Sequence, residues 1–414
     1  MTSSNIFLKV QQHVRTSDKI GKMFLLFLSV LALQLSDAAF LPQLPLTGSP
    51  SLPRSVTQEL FNELDELARV VDISYCVGTL GTGIQKPFKC AGRCSDFPDF
   101  ELVSTWSTGQ MLSDSCGYIA LSHPPSPPRI ILAFRGTYSM ANTIADLSTI
   151  PQDYVPYPGH DKSSKKGKLH FLHGSTSGPK DCTNCTVHMG FMRSWTNTKP
   201  KVLPHVEKLI QKYPEYRLTL VGHSLGGAVA ALASLDFASR GWNPKVTTFG
   251  EPRIGNRELV EYLDKTFSAG SKRLADNFRR VTHVDDPVPL LPLSEWGYRP
   301  HAGEIYISNP KLPPKVEDLH YCQGDSDLNC IAGAEGVSGV EYNVTELQVE
   351  IDGFWDWWKE TKGSLSIPPR WRIWQLFFAH RNYFWQLGLC VPWLQSKDWW
   401  DRDNLQGEFM PAEL

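Results

Sequence analysis

The segment Leu220-Val221-Gly222-His223-Ser224-Leu225-Gly226-Gly227 constrains this chain more than any other. It lies between a β-rich run, 217–221, and an Ala-rich stretch of helical character, 226–238. A serine on a strand-to-helix turn projects from the sheet edge only if the backbone turns sharply there. Side chains at 222 and 226 would collide with the neighbouring strand and helix, and glycine removes them. The helix beyond Ser224 aims its positive end at the serine, and the Leu225 N–H is placed to donate to an oxyanion. Gly226, Gly227, Ala228, Ala230 and Ala231 let that helix pack close to a sheet. The bland alternative is a Gly-rich turn with an incidental serine.

The surrounding pattern supplies the sheet. Further β-rich runs fall at 117–121, 129–134, 245–249 and 278–283. Before 217–221, Val202, Val206, Leu209, Ile210 and Tyr213 recur at helical spacing. Strands alternating with helices predict an α/β fold, a mostly parallel central sheet flanked by helices. An earlier helix is expected near Ser55, where Ser55 and Gln58 form a capping-box pattern ahead of Leu60, Leu64, Leu67, Ala68 and Val71. Two segments break the alternation and read as insertions in a single domain spanning 55–414. Residues 148–186 are rich in Pro, Gly, Ser and Lys, and 331–378 carry Trp355, Trp357, Trp358, Trp371 and Trp374.

The first 39 residues read as a secretory signal peptide, with an uncleaved anchor as the alternative. Lys19 and Lys22 precede the apolar run 23–35, and Ser36, Ala38 and Ala39 follow it. The run is short of the roughly 20 residues that span a bilayer. Translation starts at Met1 or Met23, and 40–54 resemble a leader or propeptide. Nine cysteines in such a chain imply disulfides with one thiol left over. Asn184 and Asn343 stand in N-x-T sequons and are glycosylation candidates. Lys+Arg number 41 and Asp+Glu 43, so no basic excess suggests nucleic acid as a partner.

A serine hydroxyl needs a base, and the base an orienting acid. In a strand–turn–helix site of this kind the chain order is Ser, then Asp or Glu, then His. The run 278–283 leads into Val284-Asp285-Asp286-Pro287, which makes Asp286 the first choice of acid and Asp285 the second. His301, His320 and His380 follow, and spacing alone leaves all three open. The run 129–134 ends in Arg135-Gly136-Thr137, where Thr137 is placed to supply an N–H and a hydroxyl to an oxyanion hole. This chemistry requires no metal and no cofactor.

Taken together, these segments resemble the fungal class 3 lipases, α/β-hydrolases that include filamentous-fungal triacylglycerol lipases and feruloyl esterases. The resemblance rests on Phe134-Arg135-Gly136-Thr137, Ala145-Asp146-Leu147, Val187-His188-Met189-Gly190-Phe191 and the Ser224 turn. It continues through 248–256, of which 249–256 is the most specific run, and Asp286-Pro287-Val288-Pro289. It implies Ser224 as nucleophile, Asp286 as acid, His380 as base, Thr137 as oxyanion residue and Asp146 as the group holding that oxyanion hydroxyl. By the same comparison His188, His223 and His301 are structural.

The resemblance also implies disulfides Cys76–Cys390, Cys90–Cys94 and Cys322–Cys330. Cys182 and Cys185 are then left to pair with each other, a metal or redox role for that C-x-x-C being the alternative, and Cys116 stays a buried thiol. The chain departs from the family in a less apolar lid region, 138–144, and in its two insertions. The implied activity is hydrolysis of carboxylic esters, acylglycerols first, with phospholipids or feruloyl-type esters as alternatives. A non-catalytic binding protein on the same fold is the rival of another class. The Trp-rich segment 354–374 either meets a lipid interface or packs on the protein's own core. Nothing in the sequence sets the oligomeric state.

Overall fold

The computed structural model describes residues 54–78, 83–109, 114–137, 151–154, 182–268, 273–333, 379–388 and 390. The expected signal peptide, nearly all of the leader, the lid region, Asp146, Asn343 and the Trp-rich insert lie outside the described residues.

Among the described residues the chain forms four α-helices: α1 (Gln58–Ile73), α2 (Met189–Lys212), α3 (Leu225–Ser239) and α4 (Arg257–Ser268). The strands are β1 (Phe100–Ser107), β2 (Cys116–Ser122), β3 (Arg129–Phe134), β4 (Pro151–Asp153), β5 (Thr186–His188), β6 (Arg217–His223), β7 (Lys245–Phe249), β8 (Phe278–His283), β9 (Glu304–Ile307) and β10 (Leu319–Tyr321). The main sheet runs β1-β2-β3-β6-β7-β8-β9-β10. Its centre, from β3 to β9, is parallel, and the outer pairs β1–β2, β2–β3 and β9–β10 are antiparallel.

Side chains alternate across this sheet and divide the core in two. On β3, Ile130, Leu132 and Phe134 join one apolar cluster with α2, α3 and α4. Ile131 and Ala133 of the same strand join the other, with α1 and Tyr383, Phe384 and Leu387 near the C-terminus. The central helix α3 is buried over nearly its whole length, which its run of Ala and Gly allows.

The expected helix near Ser55 forms three residues later. Thr57, in extended backbone, caps α1 by accepting from the Leu60 N–H at 3.2 Å, while Ser55 bridges to His320. Leu60, Leu64, Leu67, Ala68 and Val71 are all buried, each large side chain contributing roughly 1.5–3 kcal/mol. The expected long loop at 148–186 carries a strand at each end, since β4 and β5 pair antiparallel.

Helix α1 and its exit hold residues 379–388 and Cys390 in place. Trp385 Nε1 donates to Asp65 Oδ1 at 2.7 Å, and the Gly388 N–H donates to Asp72 Oδ1 at 2.7 Å. Phe61 meets Phe384 edge-on at 5.2 Å. Disulfide Cys76–Cys390 then joins residues 314 positions apart, worth about 6 kcal/mol in the chain-entropy model. Cys90–Cys94, Cys182–Cys185 and Cys322–Cys330 are also bonded, and Cys116 is a buried free thiol in β2.

Candidate active site

Ser224 caps the junction of β6 and α3 with φ 57° and ψ −132°, a conformation costly for any residue with a Cβ. It persists because the surroundings over-determine it. The Ser224 N–H donates to Phe249 O at 2.9 Å, and Ser224 O accepts from Gly227 N at 2.8 Å. A methyl group on Gly222 would lie 2.3 Å from Gly226 O, and one on Gly226 would lie 2.3 Å from Phe134 O. Both glycines are therefore required for the helix to approach the sheet this closely.

The Leu225 N–H belongs to the first turn of α3, whose donors have no partner within the helix. On the other side, a methyl on Gly136 would meet Ser224 Cβ at 2.9 Å. Thr137 follows Gly136 directly, beyond the end of β3, which pairs with β6. Asp146 is outside the described residues.

Asp286 lies on the loop after β8 and is buried at 1% exposure. His380 Nδ1 is 2.9 Å from both of its carboxylate oxygens. The Tyr383 hydroxyl donates to Asp286 Oδ2 at 2.5 Å, and the Val288 N–H donates to Oδ1 at 2.9 Å. Burial opposes the Asp286 charge. The adjacent His380 and these donors outweigh burial and hold the carboxyl below its ordinary value. Burial, reinforced by Asp286, pushes the Tyr383 phenol well above its ordinary value, so it stays a donor.

Gly250 has φ +58°, and a Cβ there would sit within 2.8 Å of Tyr383, Asp286 and His380. Only glycine leaves room for the three to meet. His380 Nε2 is buried and makes no hydrogen bond among the described residues, so in this resting geometry it is not bonded to Ser224 Oγ. Such contacts commonly tighten only when substrate binds.

The other candidates sit elsewhere. Asp285 is exposed, with its N–H toward His283. His301 is buried between Ala302 O at 2.7 Å and Glu251 at 3.3 Å. His320 bonds Asn329 O at 3.1 Å on the far edge strand. Asn184 is exposed in the Cys182–Cys185 turn.

His223, read as structural from the sequence, lies against His380, with ring centroids 4.7 Å apart. Burial and then the neighbouring His380 push its pKa down to about 3, so the native imidazole is neutral. An unfolded chain protonates this ring below about pH 6.5. Stability is therefore full above that pH and is lost progressively as pH falls from 6.5 toward 3. Its share of the loss is about 2 kcal/mol by pH 5, from 1.36 kcal/mol per unit. Urea denaturation at pH 7 and pH 5 should show this loss in the wild type and a smaller one in His223→Gln. An equal loss in both would contradict it.

Residues 131–296 match the family described as Lipase (class 3). The chain is 46% identical over 407 residues to secreted mono- and diacylglycerol lipase 2 of Gibberella zeae, covering 94% of this chain and 95% of that one. It is 48% identical over 385 residues to Lipase A of Sodiomyces alcalophilus, covering 86% and 88%. The fold is similar to the crystal structure of the Lip2 lipase from Yarrowia lipolytica, with a TM-score of 0.62, 29% identity, and 83% and 99% of the two chains covered.

Proposed function

This chain belongs to the class 3 lipase family, and from that premise we propose that it hydrolyses acylglycerols through an acyl-enzyme on Ser224. It is a carboxylic ester hydrolase and a secreted one: the Gibberella zeae relative is named as secreted, and four disulfides suit an oxidising compartment. No helix among the described residues is long and apolar enough to cross a membrane.

The observation that supports this reading best is the buried Asp286–His380 pair. It presents an unbonded imidazole nitrogen in the neighbourhood of a serine held in strained backbone. Ser224 Oγ attacks the ester carbonyl and passes its proton to His380 Nε2. Asp286 holds Nδ1–H and stabilises the resulting cation. The N–H groups of Thr137 and Leu225 stabilise the tetrahedral oxyanion, each worth about 3–4 kcal/mol in comparable sites. His380 then protonates the leaving alcohol. Water, deprotonated by His380, releases the acid and regenerates Ser224.

Acylglycerols lead because the Gibberella zeae relative is named for mono- and diacylglycerols. Triacylglycerols stay within the reading, and that name adds partial glycerides to the first substrates to test. Purified protein should release fatty acid from a series of mono-, di- and triacylglycerols faster than it cleaves feruloyl esters or phospholipids of matched chain length. Faster cleavage of feruloyl esters or phospholipids would replace the substrate class and leave the chemistry intact. Absence of all ester hydrolysis would favour the non-catalytic rival.

A further inference from the structure

His223 makes two hydrogen bonds whose polarity the geometry settles. Its Nε2 lies 2.9 Å from the main-chain carbonyl oxygen of His380, and its Nδ1 lies 2.6 Å from the Tyr75 hydroxyl. A carbonyl oxygen only accepts, so Nε2 carries the hydrogen. In a neutral ring Nδ1 is then an acceptor, and the Tyr75 hydroxyl donates to it. The order is Tyr75 O–H to His223 Nδ1, then His223 Nε2–H to His380 O. The two imidazoles are stacked, with 29° between their planes.

His380 is thus held from two sides. Asp286 grips its ring at Nδ1, and His223 grips its main-chain oxygen and covers one face of its ring. The Asp286 contacts orient the imidazole only if the backbone that carries it is also fixed. That backbone belongs to no strand of the main sheet. Tyr75 sits in the turn after α1, next to Cys76, which is disulfide-bonded to Cys390 beyond His380. One short turn of chain therefore reaches the His380 segment by a covalent link and by a hydrogen-bond relay.

We propose that His223 is a positioning residue for catalysis, fixing the His380 backbone through its Nε2–H, and that Tyr75 sets the His223 tautomer that makes this donation available. The inference rests on the reading of His380 as the base. The hydrogen bonds of the His223 ring go to the Tyr75 hydroxyl and the His380 main-chain oxygen, not to a reacting atom. Its neutrality also matters, because a second cation stacked on His380 would oppose the imidazolium that forms during acylation.

The test compares side chains that differ in where they place an amide. In His223→Gln the side-chain amide reaches the position of Nε2 and retains a donor for His380 O. In His223→Asn it falls near the position of Nδ1 and does not reach. Both substitutions lose the ring. Kinetics on a short-chain, soluble p-nitrophenyl ester should show His223→Asn lowering kcat by on the order of 10–100-fold, with KM within about twofold. His223→Gln should recover about tenfold of a full loss, and Tyr75→Phe should lower kcat several-fold. Equal kcat in the Gln and Asn variants, or a change confined to KM, overturns the positioning role. If the Asn variant does not fold, Tyr75→Phe, which removes one hydroxyl, decides the matter: wild-type kcat there overturns the relay. Full activity in His380→Ala would instead sink the reading of the base, a result separable from any of these.

Discussion

Ser224→Ala is expected to lower kcat on p-nitrophenyl esters by about 10⁵–10⁶-fold, the scale seen when a triad nucleophile is removed. A residual rate above the uncatalysed one should survive, because the Thr137 and Leu225 donors remain. The fold should survive too. Alanine keeps the Cβ, so the strain at φ 57° is unchanged, and the main-chain bonds to Phe249 and Gly227 do not involve the hydroxyl. Thermal midpoints of the two proteins should therefore agree within the range of an ordinary surface substitution, about 0.5 kcal/mol. Loss of activity accompanied by a large loss of stability would point to a structural serine.

Asp286→Asn should cost about 10⁴-fold in kcat, and for a different reason. The carboxylate accepts from His380 Nδ1, from the Tyr383 hydroxyl and from the Val288 N–H. An amide of the same shape must turn an NH₂ toward one of these donors. Because His380 Nδ1 lies 2.9 Å from both oxygens, the NH₂ faces it in either orientation and weakens the hold on the tautomer that leaves Nε2 free to receive the serine proton. The same NH₂ takes the acceptor from the Val288 N–H in one orientation or from the Tyr383 hydroxyl in the other, and a buried donor left unsatisfied costs about 1–3 kcal/mol. The variant should thus lose activity and some stability together. Melting curves and kcat on one preparation check both, and a loss of activity below tenfold would remove Asp286 from the relay.

The parts of this molecule legible in sequence are those governed by local rules. The Ser224 turn could be read because its glycines are demanded by contacts a few residues away, as the 2.3 Å clearances at Gly222 and Gly226 show. The core strands could be read because burial on both faces gives continuous apolar runs, as in β3. The edge strands were harder. In β1, with alternating and interrupted burial, and in the three-residue β10, pairing partners rather than composition decide the structure. The cap of α1 passed to Thr57 because Ser55 was taken by a bridge to His320, a contact 265 positions away.

The site follows the same division. Asp286 was approachable from its place after a strand. His380 was one of three histidines until family resemblance separated them, because what distinguishes it is a contact 94 residues back with Asp286. Tyr383, three residues beyond His380, carries a faint local signal, since i and i+3 share a face of one turn. The Tyr75–His223 pair spans 148 residues, and no local pattern announces it.

The most direct measurement is peptide mapping by mass spectrometry after the wild-type protein has reacted with a fluorophosphonate. A single adduct on the peptide carrying Ser224, formed in step with loss of esterase activity, is the expected result. An adduct on another serine, or full inhibition with Ser224 unmodified, would mean that the chemistry resides elsewhere in the chain.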